Sequence, residues 1–181
     1  LTDAVRYAHL RDVKIYVTLN TLLFDREIQF FIDLIKFLDN ICIDAFIVTD
    51  LGALKIIKKF CPDMEIHAST QLTCHNLEGV KYLHSLGFSR VVLSRELSFE
   101  NIRYIMANTP CEIEVFVHGA LCMCYSGQCY LSSVAGERSG NRGKCAQPCR
   151  MKYRLFGEKG YFLSLKDNCL LKDVKKLDDI G

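Results

Sequence analysis

Short apolar blocks alternate along this chain with longer stretches whose apolar positions recur every three or four residues. Residues 13–19 (VKIYVTL) read as a strand. From Glu27 to Asn40 the spacing turns helical, with Ile28, Phe31, Ile35 and Leu38 on one face, widened by Phe30, Leu34 and Phe37. A second strand at 44–50 (DAFIVTD) leads into a helix that stops at Cys61-Pro62, because proline cannot continue it. Residues 64–70 (MEIHAST) predict a third strand, and its helix opens at Asn76 and closes on Gly87. Residues 90–94 (RVVLS) predict a fourth, followed by a helix opened by Ser98 with Asn101 and fading at Asn108-Thr109-Pro110. A fifth strand, 112–119 (EIEVFVHG), runs into a polar segment. Beyond it, 151–165 read as a hairpin turning at Gly157–Gly160, and Cys169 to Leu177 as a helix.

Strands that recur every 20 to 31 residues with helices between them imply a parallel sheet covered by helices through right-handed crossovers. The strands are short and rich in Val and Ile, which predicts burial on both faces. An open doubly wound sheet and a (β/α) barrel of the TIM type compete. No glycine-rich phosphate loop follows the first strand, which favours the barrel. A full barrel needs about 250 residues, so an incomplete one is expected here. The chain opens on Leu1 and closes on Lys176–Gly181, a helix end and glycine like Ser85-Leu86-Gly87 before the fourth strand, so truncation at both ends is expected. The units are 1–121 (βα repeats), 122–150 (a cysteine-rich segment) and 151–181 (hairpin and final helix).

Half of the 181 residues are hydrophobic and 24% are charged, an ordinary globular balance, and a net charge of +2 favours no class of partner. No apolar run approaches the roughly 18 residues of a membrane span. Ten cysteines do change the picture. Cys42, Cys61, Cys74, Cys111 and Cys169 stand singly beside apolar neighbours and read as buried reduced thiols, which suits the cytoplasm.

In parallel βα folds the chemistry gathers at the carboxyl ends of the strands. Those ends carry Asn20-Thr21, Thr49-Asp50, Ser69-Thr70-Gln71, Ser94-Arg95-Glu96, His118-Gly119 and Lys166-Asp167. Turn chemistry alone explains polar residues there. The adjacent Arg95 and Glu96, and a histidine ending a strand, exceed it. Arg95, Glu96, Glu114 and His118 are therefore candidate catalytic groups, with Asn20, Asp50 and Gln71 as candidate substrate contacts. Glu114, Phe116 and His118 alternate and would share one strand face, making Glu114 a buried acid and His118 a general acid or base. His67, inside a strand, reads as structural.

The polar segment holds five cysteines in the 28 residues from Cys122 to Cys149, four of them at C-x6-C-x15-C-x3-C (Cys122, Cys129, Cys145, Cys149). A disulfide framework, a zinc site and an iron–sulfur cluster are the alternatives. Zinc normally uses paired C-x2-C ligands, and clusters tolerate wider spacing. From Arg138 to Arg154 there are six basic residues and no acid, a charge that would offset a thiolate cluster or contact phosphates through Arg142 and Arg150. There is no G-x-S-x-G elbow and no H-E-x-x-H helix, and Ser126 has no evident base beside it.

The runs 114–122 (EVFVHGALC), 125–132 (YSGQCYLS) and 141–150 (NRGKCAQPCR) resemble the collagenase-like peptidases, family U32 of unknown catalytic type, as do 18–20 (TLN), 67–71 (HASTQ) and 93–97 (LSREL). The resemblance covers nearly the whole chain. It implies a barrel-like core with further sequence on both sides. Some members of that family carry a peptidase label for collagen or gelatin degradation. Others are iron–sulfur proteins of oxygen-independent hydroxylation, acting on tRNA, rRNA or the ubiquinone ring. In those, four cysteines matching Cys122, Cys129, Cys145 and Cys149 hold a four-iron four-sulfur cluster, which leaves Cys124 as a spare thiol. The expectation is a cytoplasmic iron–sulfur protein (zinc the alternative cofactor) acting in RNA hydroxylation, with tRNA as partner and a second protein of the family as a further one. A peptidase acting on protein, or a metal-stabilised accessory protein, is the alternative.

Overall fold

The computed structural model of the protein describes residues 1–180. Helix α1 (Thr2–His9) precedes strand β1 (Tyr16–Leu19). Four βα repeats follow, β1 with α2 (Ile28–Asn40), β2 (Ala45–Val48) with α3 (Leu51–Phe60), β3 (Glu65–Ala68) with α4 (Leu77–Ser85) and β4 (Arg90–Val92) with α5 (Phe99–Ala107), before strand β5 (Glu112–Glu114). The helix starts are built as their sequences demand. The side chains of Asp50, Asn76 and Ser98 each accept a backbone N–H of the first turn of α3, α4 and α5 respectively. Gly87, at φ +94°, turns the chain out of α4 into β4.

The five strands form one parallel sheet in the order β1-β2-β3-β4-β5, with no point at which the order reverses. A doubly wound sheet has such a reversal, and its ligand crevice lies there; this sheet lacks one. Val17, Leu19, Phe46, Val48, Ile66, Ala68, Val91 and Leu93 occupy one pleat and pack with Phe31, Ile35, Leu38, Leu54, Ile57, Val80, Leu83, Ile102 and Ile105 of α2 to α5. Burial of such side chains is worth roughly 1.5–3 kcal/mol each before entropy is counted.

The other pleat departs from the expectation of strands buried on both faces. It carries Tyr16, Thr18, Glu65, Arg90, Glu112 and Glu114, which are half-buried or exposed, around a fully buried His67. Most of these polar groups pair with one another: Glu65 bonds His67 Nε2 at 2.9 Å, Arg90 reaches Glu112 (2.6 Å) and Glu114 (3.5 Å), and Tyr16 meets His67 edge to face, while the buried His67 Nδ1 has no partner among the described residues. The bond from His67 holds the Glu65 carboxyl below its usual range.

Three further differences matter. The chain forms α1, which the apolar pattern did not predict; His9 and the Ile15 N–H both bond the Asp44 carboxylate, at 2.9 and 2.6 Å, and so tie α1 and β1 to the start of β2. The fifth strand is not continuous to Gly119. It ends at Glu114, and a separate strand β6 (His118–Gly119) pairs antiparallel with β9 (Asn168–Cys169), so Glu114, Phe116 and His118 share no strand face. The final helix is shorter than expected because residues 168–169 are taken up by β9, and it spans only Val174–Asp178 (α7). Between β6 and β9, the cysteine-rich segment folds as helix α6 (Leu131–Gly136) with 3-10 turns at Gly140–Arg142 and Pro148–Arg150. Strands β7 (Tyr153–Leu155) and β8 (Glu158–Gly160) form the expected hairpin, but its turn is at Phe156-Gly157, both at positive φ, and not over Gly157–Gly160, because residues 158–160 pair as a strand. The terminal Gly181 lies outside the described residues. No helix of the described chain is long and apolar enough to cross a membrane.

Candidate functional site

The loops leaving β3 and β4 and the chain beyond β6 meet at the carboxyl end of the sheet. Arg95, just past β4, joins them. Its guanidinium donates to the Ala120 carbonyl (2.8 Å) and to the Ser126 hydroxyl, and it lies 5.4 Å from the Phe116 ring. Gln71, in a 3-10 turn after β3, presses on the same segment from below. A Cβ placed on Gly127 would sit 2.9 Å from Gln71 Oε1, and Gly127 is at φ +76°, so this position requires glycine twice over. Gln128 in turn donates to the Gln71 carbonyl at 3.4 Å.

Glu96 is exposed at this mouth and approaches Nε2 of His75 at 3.5 Å. His75 was not among the residues singled out from the sequence. Its Nδ1 bonds the Thr73 carbonyl at 2.7 Å, which assigns the proton to Nδ1 in the neutral ring and leaves Nε2 as an acceptor, and the ring meets Tyr125 edge to face. Three residues from three loops, His75, Glu96 and Tyr125, thus stand together. A polar run between the third strand and the helix opening at Asn76 was the available signal.

The other anticipated residues have different settings. Asn20 follows β1, half-buried. Asp50 caps α3 and also accepts the Leu23 N–H at 3.0 Å, so its carboxylate ties two loops together. Glu114 pairs with Arg90 on the polar face of the sheet, and His118 is exposed on β6, opposite Cys169. Arg142 grips both oxygens of Glu27 and the Leu22 carbonyl, and its guanidinium holds the Glu27 carboxyl below the usual carboxylate range. Arg150 bonds Asp167 (2.9 Å) and the carbonyls of Leu121 and Leu165. Both arginines therefore brace the cysteine-rich segment against the rest of the fold.

All ten cysteines are free thiols. Cys61, Cys74 and Cys111 are buried as expected, and burial pushes the Cys111 thiol up to about 11. Cys42 and Cys169 are exposed, contrary to expectation, because one ends a helix connection and the other lies on the short strand β9. In the cysteine-rich segment, burial, a hydrogen bond with Cys129 and the negative potential of Cys129, Cys122 and Cys149 push the Cys124 thiol up to about 11. Cys129 and Cys145 instead accept backbone N–H groups two residues on, at 3.4 Å from Leu131 and 3.3 Å from Gln147. Among the described residues no three His, Cys, Asp or Glu side chains converge on a single point as ligands of one ion.

A sequential parallel βα sheet with a thiol-rich segment at its carboxyl rim defines the chain as an α/β protein. The chain belongs to peptidase family U32, which matches residues 1–181. It is 42% identical over its whole length to the 23S rRNA 5-hydroxycytidine C2501 synthase of Escherichia coli, covering 28% of that protein. It is 40% identical to the tRNA hydroxylation protein P of the same organism, over 83% of this chain and 34% of that protein. A collagenase of Porphyromonas gingivalis is 35% identical over 94% of this chain and 45% of its own length. The chain spans between about a quarter and a half of the length of these relatives. A solved U32 peptidase structure superposes with a TM-score of 0.55 at 13% identity, over 66% of this chain and 51% of that one, which is a likeness of fold.

Proposed function

We propose that this chain is an arc of a (β/α) barrel that carries a four-iron four-sulfur cluster and serves RNA hydroxylation in the cytoplasm. The observation that carries the reading is identity of 42% and 40% to proteins named for rRNA and tRNA hydroxylation, combined with four free thiols braced at the carboxyl rim of the sheet. Sequential strand order with helices on one face is the local arrangement of a barrel, and the polar second pleat is the face such a barrel turns inward. Cys122, Cys129, Cys145 and Cys149 would hold the cluster. A multi-iron cluster takes each thiolate on a different metal atom, so its ligands need not converge on one point as those of a single zinc ion do. When bound, it would supply one-electron chemistry beside the substrate.

The chain's own residues then have defined tasks. Arg95 and Gln71 fix the segment that bears the thiols. His75 stands beside Glu96 and Tyr125 at the same rim, its buried Nε2 3.5 Å from the Glu96 carboxylate, so it positions Glu96 and the Tyr125 ring next to the thiol-bearing segment. Ser126 is buried and its hydroxyl accepts from Arg95, and among the described residues no side-chain base bonds it to take the proton a serine nucleophile must give up.

The test is anaerobic purification of the full-length protein with analysis of iron, labile sulfide and zinc, together with mass spectrometry of rRNA and tRNA nucleosides from a deletion strain. About four iron and four sulfide per chain and the loss of a hydroxylated nucleoside are expected. Stoichiometric zinc would overturn the cluster, and gelatin cleavage that survives Cys122→Ala and Cys149→Ala would favour the peptidase reading that the collagenase relative represents.

A further inference from the structure

We infer that the β7–β8 hairpin is a docking ribbon for single-stranded RNA, with one face contacting phosphates and its aromatic side chains stacking on bases. The inference rests on the RNA reading above and names the surface that would meet the substrate strand.

The ladder pairs Tyr153 with Gly160, Arg154 with Lys159 and Leu155 with Glu158. One pleat is turned to the protein. Tyr153 donates its hydroxyl to the Pro148 carbonyl at 2.9 Å, and Phe162 lies so close to Gly160 that a Cβ there would meet its ring at 3.2 Å. The other pleat is turned to solvent and is cationic. Arg154 and Lys159 stand directly opposite each other, and one step beyond the ladder Lys152 lies 5.2 Å from the Tyr161 ring. Like charges directly opposed across two strands are destabilising. Nothing in the fold relieves them: Glu158 is on the opposite pleat, Asp167 is taken by Arg150, and among the described residues none of the three cations forms an ion pair. Such a face is stabilised by an anionic partner.

The chemistry of that partner is set by the aromatics. Phe156, on the turn, is 97% exposed, and Tyr161, beside Lys152, is 58% exposed. Two aromatic rings interleaved with three cations within ten residues are the elements with which proteins hold unpaired strands, through phosphate neutralisation and base stacking. An acidic peptide would use the cations and leave the rings idle. The assignment also relocates the phosphate contacts. Arg142 and Arg150 are occupied by Glu27 and Asp167, whereas Lys152, Arg154 and Lys159 are free to bind.

The experiment measures binding of a fluorescein-labelled, mixed-sequence single-stranded RNA to the full-length protein by anisotropy across a salt series. The Lys152→Gln, Arg154→Gln, Lys159→Gln triple variant should bind roughly tenfold or more weakly and lose about 2 from the slope of log K against log salt, at about 0.7 per phosphate contact. Exchanging Arg154→Lys and Lys159→Arg should keep the slope, and matching thermal melts exclude misfolding as the cause. Phe156→Ala with Tyr161→Ala should weaken binding roughly tenfold at an unchanged slope; unchanged affinity there overturns the stacking role. Unchanged affinity and slope in the triple variant overturn the ribbon while leaving the RNA reading standing. A wild type that binds no RNA overturns both. Competition by an acidic peptide as effective as unlabelled RNA would assign the face to a protein partner and overturn the proposal.

Discussion

Arg95 donates to the hydroxyl of Ser126 across 31 residues of sequence, and through it the fourth strand of the sheet holds the start of the thiol-bearing segment. The same guanidinium takes the Ala120 carbonyl, so one side chain fixes the segment on both sides of Cys122 and Cys124. A lysine has one point charge where this contact needs a planar fork. Arg95→Lys is therefore expected to loosen residues 120–130, seen as faster limited proteolysis within them and as a lower iron content after anaerobic purification, with the melting of the sheet little changed.

Gly127→Ala should act at the same place by a different cause. The new Cβ would meet Gln71 Oε1 at 2.9 Å on a backbone at φ +76°. The left-handed conformation costs about 1–2 kcal/mol for a residue with a Cβ, and the clash adds to it. Gln71→Ala in the same chain removes only the clash, so partial rescue of stability in a denaturant titration is expected. Full rescue would show that the backbone strain is absent.

The Asp44 carboxylate is drawn two ways. Burial raises its pKa, and the bonds from the Ile15 N–H and His9 outweigh that, so the net shift is downward from 3.8. A carboxyl lowered in the folded state contributes stability that is present above its unfolded value and is lost as the pH falls through its lower folded value. Asp44→Asn keeps an acceptor but loses the charge, and is expected to cost about 1 kcal/mol near pH 7. The difference from wild type should narrow as the pH falls below 3.8 and through the lowered value at which the native carboxyl takes up its proton. Urea titrations at a series of pH values check it.

Much of this architecture was legible because its determinants are local. Helix starts were legible at Asn76 and Ser98 and helix ends at Pro62 and Gly87, and each forms where its sequence placed it, whereas Asp50, read as a strand end and substrate contact, is the cap of α3. Helix α1 was missed because its buried side consists of only Val5 and Ala8, too sparse to set a period. Val115-Phe116-Val117 kept the character of a strand, so the sequence carried no mark that the pairing partner changes from β4 to β9. The functions of Arg142 and Arg150 were hidden for another reason. A run of basic residues looks solvated until the acids that pair with it are known, and Glu27 is 115 residues from Arg142. The same distance makes this pair a measurable brace. A double-mutant cycle with Arg142→Gln and Glu27→Gln should give a favourable coupling that shrinks as salt is added.

The sulfurs of the cysteine-rich segment divide by the direction of their hydrogen bonds. Cys129 and Cys145 accept, each from the backbone N–H two residues on, which is the role of a thiolate ligand in a cluster, where N–H donors to the sulfurs tune the potential. Cys124 donates, its thiol lying 3.3 Å from the Tyr125 carbonyl. Donation needs the proton that a ligand must give up. Cys129→Ser and Cys145→Ser are therefore each expected to leave the anaerobically purified protein with most of its iron and labile sulfide missing, whereas Cys124→Ser, whose hydroxyl keeps the bond to Tyr125, should retain the wild-type content. Cys122→Ser and Cys149→Ser should behave as the first pair. Iron retained in Cys145→Ser and lost in Cys124→Ser would reverse the assignment and make Cys124 the fourth ligand, a result that its contact with Cys129 makes chemically well defined.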